Sequence, residues 1–214
     1  MAEQIDALVA AAIHDAKNAL MHLDAQLAEM ACRPATADFS ATRATTSRIA
    51  GQLTELLTLY RAQGGQLRLA IADHDLTDFL DDLLAELGPL PAGIDLDCTH
   101  SAAQRLGAWA FDAYLVKLAL LDALRNSLRH ARQQVRLALH ADPDGGICFT
   151  VADDGPGFPE PILNGAATPS GGTGTGLGLS FARLIAARHA TPAGRHGRVE
   201  LANQSGAILR IYLP

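Results

Sequence analysis

Two consecutive glycines, Gly64-Gly65, separate stretches of this sequence that have different hydrophobic periods, so no single type of layer can accommodate the whole chain. Before them, apolar residues recur at Ile5, Val9, Ala12, Ala16, Ala19, Leu23, Leu27 and Met30, in steps of four and three that draw one stripe along a helix. The pattern stops around Pro34, and Asp38 or Ser40 can cap a second helix carrying Ile49, Leu53, Leu56 and Tyr60. Two such helices on a short loop make an antiparallel hairpin too thin to bury both stripes alone. The expectation for residues 1–64 is therefore a four-helix bundle formed with a second copy, making the chain a homodimer.

Residues 65–214 have a different texture. Leu67 to Ile71 alternates like a strand, and Asp75 to Leu87 reads as a helix with Leu76, Phe79, Leu80, Leu83 and Leu84 inward. Ile94 to Asp97 is a second short strand, and Asp112 can cap a long helix reaching about Ala131. Val135–His140 and Ile147–Val151 make a hairpin around Pro143-Asp144-Gly145-Gly146. A glycine-rich segment leads into a helix over Leu179–His189, and Arg198–Leu201 and Ala207–Leu213 are the last strands. The fold class expected is α+β: the helical hairpin, then an α/β sandwich whose sheet is mostly antiparallel with helices on one face.

Composition narrows the function. The chain has 214 residues, 49% hydrophobic and 19% charged, which is ample for a buried core and unlike disordered sequences. Its formal net charge of −6, acidic on both sides of Gly64, argues against binding nucleic acid or anionic lipid. The longest apolar stretch, Tyr114–Leu124, is broken by Lys117 and Asp122 and is too short to span a bilayer. The opening MAEQIDAL has no basic region of the kind that starts a signal peptide. Cys32, Cys98 and Cys148 are odd in number and far apart, as expected of small buried hydrophobes in a reducing cytoplasm.

Three clusters carry chemistry in this second part. Asp153-Asp154-Gly155-Pro156-Gly157 leaves a strand into a turn where glycines permit close approach of a ligand and a carboxylate can accept from an amine. Gly174-Thr175-Gly176-Leu177-Gly178 opens directly into a helix, whose free N–H groups and positive dipole end suit phosphates. It lacks the Gly-Lys-Ser/Thr of a Walker loop. Asp122 and Asn126 share one helix face, where two oxygens can hold Mg²⁺ beside a triphosphate, and Arg129 and His130 follow on the next turn.

The order D-x-x-x-N on a helix, then D-x-G-x-G, then G-T-G-L-G-L resembles the ATP-binding domain of sensor histidine kinases, within the Bergerat-fold ATPases. The resemblance covers Gln66 to Pro214. It implies ATP and Mg²⁺ as cofactors, with Asn126 chelating the metal, Asp153 accepting from the adenine amine and Gly155 and Gly157 shaping the base pocket. It also implies that the backbone of Gly174 to Gly178 lines the phosphates beneath a mobile lid. Asp122 stands where many of these kinases carry Asn, and the segment Phe158–Gly172 lacks their usual aromatic cluster.

On the first helix, His14-Asp15-x-x-Asn18 resembles the phosphoacceptor box of the same family. His14 lies between the stripe positions Ala12 and Ala16 without belonging to the stripe, so its ring is expected at the bundle surface. Asp15 can orient that ring, and Asn18 sits one turn on. His22 is followed by Leu23 rather than an acid and reads as a surface histidine. The function implied is autophosphorylation of His14 from ATP, then transfer to an aspartate of a response-regulator receiver domain, with Asn18 orienting water for the reverse dephosphorylation. Two alternatives share parts of the pattern: a phosphotransfer adaptor with a non-catalytic ATPase-like scaffold, and a Ser/Thr anti-sigma kinase. Intact glycine and Asn positions argue against the first, and the His14 box against the second. Input is expected from an upstream sensor protein or a cytosolic ligand.

Overall fold

The computed structural model describes residues 40–165 and 177–214, together with Leu23. Apart from Leu23, the first helix of the expected hairpin lies outside the described residues, as does Cys32. The chain divides into two compact units: residues 40–67 with Leu177 fall in one, and residues 68–165 and 178–214 in the other.

In the first unit, helix α1 runs Ser40–Gln63. Its end follows from the glycine pair. Gly65 takes φ +67°, and its N–H reaches Ala62 O at 3.2 Å while Gln66 N–H reaches Arg61 O at 2.9 Å, a left-handed cap that a Cβ would strain. Within a single chain the expected apolar stripe on this helix is only partly covered. Of its four residues only Ile49 is buried; Leu53 and Tyr60 are 45% and 68% exposed, as is the neighbouring Leu57 at 54%, and the buried face instead carries Thr45, Glu55 and Thr58.

The second unit holds strand β1 (Ala72–Asp75), helix α2 (Leu76–Leu87), β2 (Asp95–Cys98), helix α3 (Ser101–Leu106), β3 (Ala108–Phe111) and helix α4 (Ala113–His130). It continues with β4 (Gln134–Ala141), β5 (Ile147–Asp153), the short helix α5 (Glu160–Leu163), α6 (Leu177–Arg188, from Gly178 on), β6 (Arg198–Asn203) and β7 (Ala207–Leu213). Two sheets form, one of β1 and β3 and one of five strands in the order β2-β4-β5-β7-β6. The five-stranded sheet is mixed. Its other neighbours are antiparallel, but β2 runs parallel to β4, with Asp95 opposite Gln134, because the long crossover through α4 returns the chain in the same direction.

The alternating segment 67–71 is not a strand. Pairing begins at Ala72, opposite Phe111, and β3 has no signature of its own in the sequence. Asp75 caps α2 by accepting from Thr77 and Asp78 N–H, and Leu76, Phe79, Leu80 and Leu83 are buried as expected, with Leu84 half-buried. Phe79 meets Phe111 edge-on at 5.0 Å and Phe149 at 5.6 Å, joining α2, β3 and β5 in one aromatic cluster. Alternation along β4 and β5 sends Val135, Leu137, Leu139, Ile147, Phe149 and Val151 into the same core. Among the described residues no helix is long and apolar enough to cross a membrane. Cys148 is buried and Cys98 half-buried, both as free thiols.

Candidate functional site

Asp153 ends β5, 9% exposed at the point where the ladder gives way to the glycine turn. Its Oδ1 accepts the Gly155 N–H at 2.9 Å and the Ala207 N–H at 3.3 Å, which fixes the carboxylate. Among the described residues Oδ2 has no protein donor, so one oxygen is held and the other is available. The two glycines that follow are required by their neighbours. A Cβ at Gly155 would press on the His130 carbonyl at the end of α4, and Gly157, at φ +84°, lies against the Asn203 side chain. Asp154 turns the other way and binds the α4–β4 connection, accepting from Arg132 N–H at 2.8 Å and Gln133 N–H at 3.1 Å. Burial alone would raise its carboxyl; the backbone amides of Gln133, Gln134 and Arg132 outweigh that and hold it below the usual range.

Helix α4 supplies the second wall. At its start Asp112 is buried; Oδ1 accepts from Leu115 N–H at 3.0 Å as a helix cap, and Oδ2 accepts from Ala70 N–H at 2.8 Å. The Asp112 N–H in turn donates to His189 Nε2 at 3.0 Å, and His189 Nδ1 lies 2.8 Å from Ile185 O. These partners make His189 the neutral tautomer with the proton on Nδ1. Its pKa is lowered, chiefly by burial, against opposing contributions from the Ile185 carbonyl and Asp112.

Further along α4, the Asp122 carboxylate packs against Gly178 so closely that a Cβ there would fall on Oδ2. Only glycine allows this contact, and it brings the D-x-x-x-N helix face to the first turn of α6. Desolvation raises the Asp122 carboxyl above the ordinary range, against the opposing pull of Arg125 and Arg129. Asn126, Arg129 and His130 all present exposed side chains.

The structure therefore brings the turn after Asp153 against the end of α4 through Gly155, and Asp122 against Gly178. Leu177 begins α6 and is buried. His14, Asp15, Asn18, Gly174, Thr175 and Gly176 lie outside the described residues. Among the described residues no group of three or more His, Cys, Asp or Glu could hold a metal ion, so a cation here would depend on the Asn126 and Asp122 oxygens with ligand oxygens completing its shell. Sequence reasoning missed Asp154, His189 and Asn203. The first sits inside the motif, where its contacts to the α4–β4 connection were not visible; the other two belong to no motif.

Residues 111–214 match the family of histidine kinase-, DNA gyrase B-, and HSP90-like ATPases. Over 177 residues the chain is 30% identical to the signal transduction histidine-protein kinase AfsQ2 of Streptomyces coelicolor, an alignment covering 79% of this chain and 31% of that protein. It is also 30% identical over 176 residues to a Mycobacterium tuberculosis protein named "Probable sensor histidine kinase HK", covering 79% of this chain and 44% of the other. The chain thus spans less than half the length of these two relatives. Among solved structures, Acinetobacter baumannii histidine kinase AdeS shares the fold with a TM-score of 0.56 at 19% identity, over 94% of this chain and 96% of that one. Full-length ShkA in complex with AMPPNP does so with a TM-score of 0.57 at 20% identity, over 81% of this chain and 37% of that one.

Proposed function

Residues 111–214 belong to the histidine kinase-, DNA gyrase B-, and HSP90-like ATPase family, and on that premise we propose that the chain is an ATP-dependent protein histidine kinase. The observation that carries the reading is Asp153: two backbone amides hold Oδ1, and Oδ2 is left to accept from the adenine amine. Hydrogen bonding within the protein fixes the acceptor before ligand arrives, so little ordering is needed on binding.

Gly155 and Gly157 let the base approach the backbone, and residues 174–178 with the start of α6 receive the phosphates. Asn126 and Asp122 offer hard oxygens one turn apart, which suit Mg²⁺; the metal, when bound, would neutralise charge on the triphosphate. Arg129 adds positive charge on the following turn, and His130 beside it offers ring nitrogens to a ligand. A ring nitrogen of His14 attacks the γ-phosphorus, the bond from that phosphorus to the β–γ bridging oxygen breaks, and ADP leaves. Asp15 accepts the N–H of the other ring nitrogen and takes up that proton as the ring becomes positively charged, an assistance typically worth about 10²–10⁴-fold. Transfer to an aspartate of a response-regulator receiver domain follows, and Asn18 orients water for dephosphorylation. The exposed row Leu53, Leu57 and Tyr60 supports a homodimer through residues 1–64, since an apolar row of that length is normally covered. Input comes from an upstream sensor protein, and the site of action is the cytoplasm.

Incubation of the full chain with radiolabelled Mg-ATP tests this. The expected label is stable to alkali, labile to acid, lost in His14→Ala and retained in His22→Ala. Acid-stable label would point instead to a Ser/Thr kinase, and no binding at millimolar nucleotide to a phosphotransfer adaptor.

A further inference from the structure

Asn203 ends β6 opposite Ala207, the first residue of β7, so it stands at the mouth of the β6–β7 hairpin. Its carboxamide makes two reciprocal bonds with one residue of the glycine loop: Oδ1 accepts the Phe158 N–H at 2.8 Å, and Nδ2 donates to the Phe158 carbonyl at 2.9 Å. One such bond would leave the peptide free to rotate about it. Two opposed bonds fix its direction, as a rung of an antiparallel ladder does. Gly157 passes so close that a Cβ there would lie 2.8 Å from Asn203 Cγ, and its φ of +84° is the left-handed conformation this approach imposes.

The same hairpin holds the other end of the loop. Ala207 N–H donates to Asp153 Oδ1, and Gly206 runs beneath the Asp153 carbonyl, where a Cβ would collide with the oxygen. The turn between them is tight: Gln204 N–H reaches Gly206 O at 2.9 Å, and Ser205 adopts φ +62°. The segment from Asp153 to Phe158 is thus gripped at both ends by one rigid element.

We infer that Asn203 is a positioning residue for base recognition: by clamping Phe158 it holds the Asp153–Gly157 loop in the conformation in which the Asp153 carboxylate meets a purine 6-amino group. The inference rests on the ATP-binding reading above. Asn203 touches the loop rather than the base, so its removal acts through the placement of Asp153. A carboxylate held in place accepts from the 6-amino group of adenine and repels the 6-oxo group of guanine. Base discrimination therefore reports that placement.

Calorimetry of the full chain with Mg-ATP and Mg-GTP provides the test. Asn203→Ala removes both bonds and is expected to weaken ATP binding about tenfold and to narrow the ATP-over-GTP preference by a similar factor. Phosphorylation at saturating ATP should stay within about twofold, because the affected interaction precedes the chemical step. Asn203→Asp keeps the acceptor for Phe158 N–H but sets an oxygen against the Phe158 carbonyl, and should narrow the preference as well. Trp109→Phe, which deletes the indole bond to Pro214 O at 3.3 Å, is the stability control and should lower the melting temperature without moving the preference. If both Asn203 variants keep the wild-type preference, the positioning role is overturned, whatever their melting temperatures. Should Asn203→Ala fail to fold by circular dichroism, Asn203→Asp alone decides. Absence of ATP binding by the wild type would overturn the nucleotide reading and this inference with it.

Discussion

At the N-terminus of α4 the polar groups of Asp112 are spent inside the protein: its carboxylate caps the helix and holds Ala70, and its N–H is received by His189. At the other end of the same helix Asn126, Arg129 and His130 present their side chains to solvent, and Gly155 of the glycine loop lies against the His130 carbonyl. A buried, fully bonded carboxylate contributes to stability because removing it orphans its donors. Exposed polar groups contribute little to folding and are free to meet a ligand. One helix thus separates the two tasks by about four turns, with Asp122 and its contact to Gly178 between them.

The contrast breaks most sharply on Asn126. Asn126→Ala should reduce Mg²⁺-dependent phosphoryl transfer about 10²-fold or more, in the range found when one transition-state electrostatic contact is removed, while thermal stability stays unchanged. A melting temperature that falls along with activity would show that this end of the helix is structural too.

Asp112→Ala tests the opposite end. Loss of the cap and an unpartnered Ala70 N–H should together cost about 2–4 kcal/mol in urea unfolding. ATP affinity of the remaining folded protein should match wild type. A loss below about 0.5 kcal/mol would mean that water replaces the carboxylate without penalty.

The smallest expected effect is a pH dependence. Because the folded pKa of His189 lies below its ordinary 6.5, the unfolded chain binds this proton more readily. The stabilisation is therefore complete above about pH 6.5 and declines as pH falls from there toward the folded value, by at most about 1.4 kcal/mol per pH unit. Asp112 is the charged group facing the ring and opposes the shift. Melting curves between pH 8 and 5 should show this decline in wild type and a shallower one in His189→Gln. Equal slopes would remove His189 from the account.

Much of this geometry was legible in short-range pattern. The steps of Leu76, Phe79, Leu80 and Leu83 placed one face of α2 in the core, and Asp112 was readable as a cap because a cap acts within three residues of itself. Gly155 and Gly157 were readable as places of close backbone approach, although not what approaches them. On α1, periodicity identified an apolar face without saying what covers it, and within one chain Leu53 and Tyr60 of that face are exposed.

Sequence alone determined the elements whose causes are local: the amphipathic helices, their caps, the hairpin at Gly145-Gly146 and the glycine turns after β5. Tertiary structure decided whatever depends on partners far along the chain. β3 is a strand because β1 lies opposite it, β2 is parallel because the crossover brings it beside β4, and Gly178 must be glycine because Asp122 packs upon it. Asn203 holds Phe158 across 45 residues, and His189 meets Asp112 across 77. A hydrogen bond over such separations leaves no periodicity in the sequence, because its geometry is set by the packing of whole elements rather than by the residues beside it.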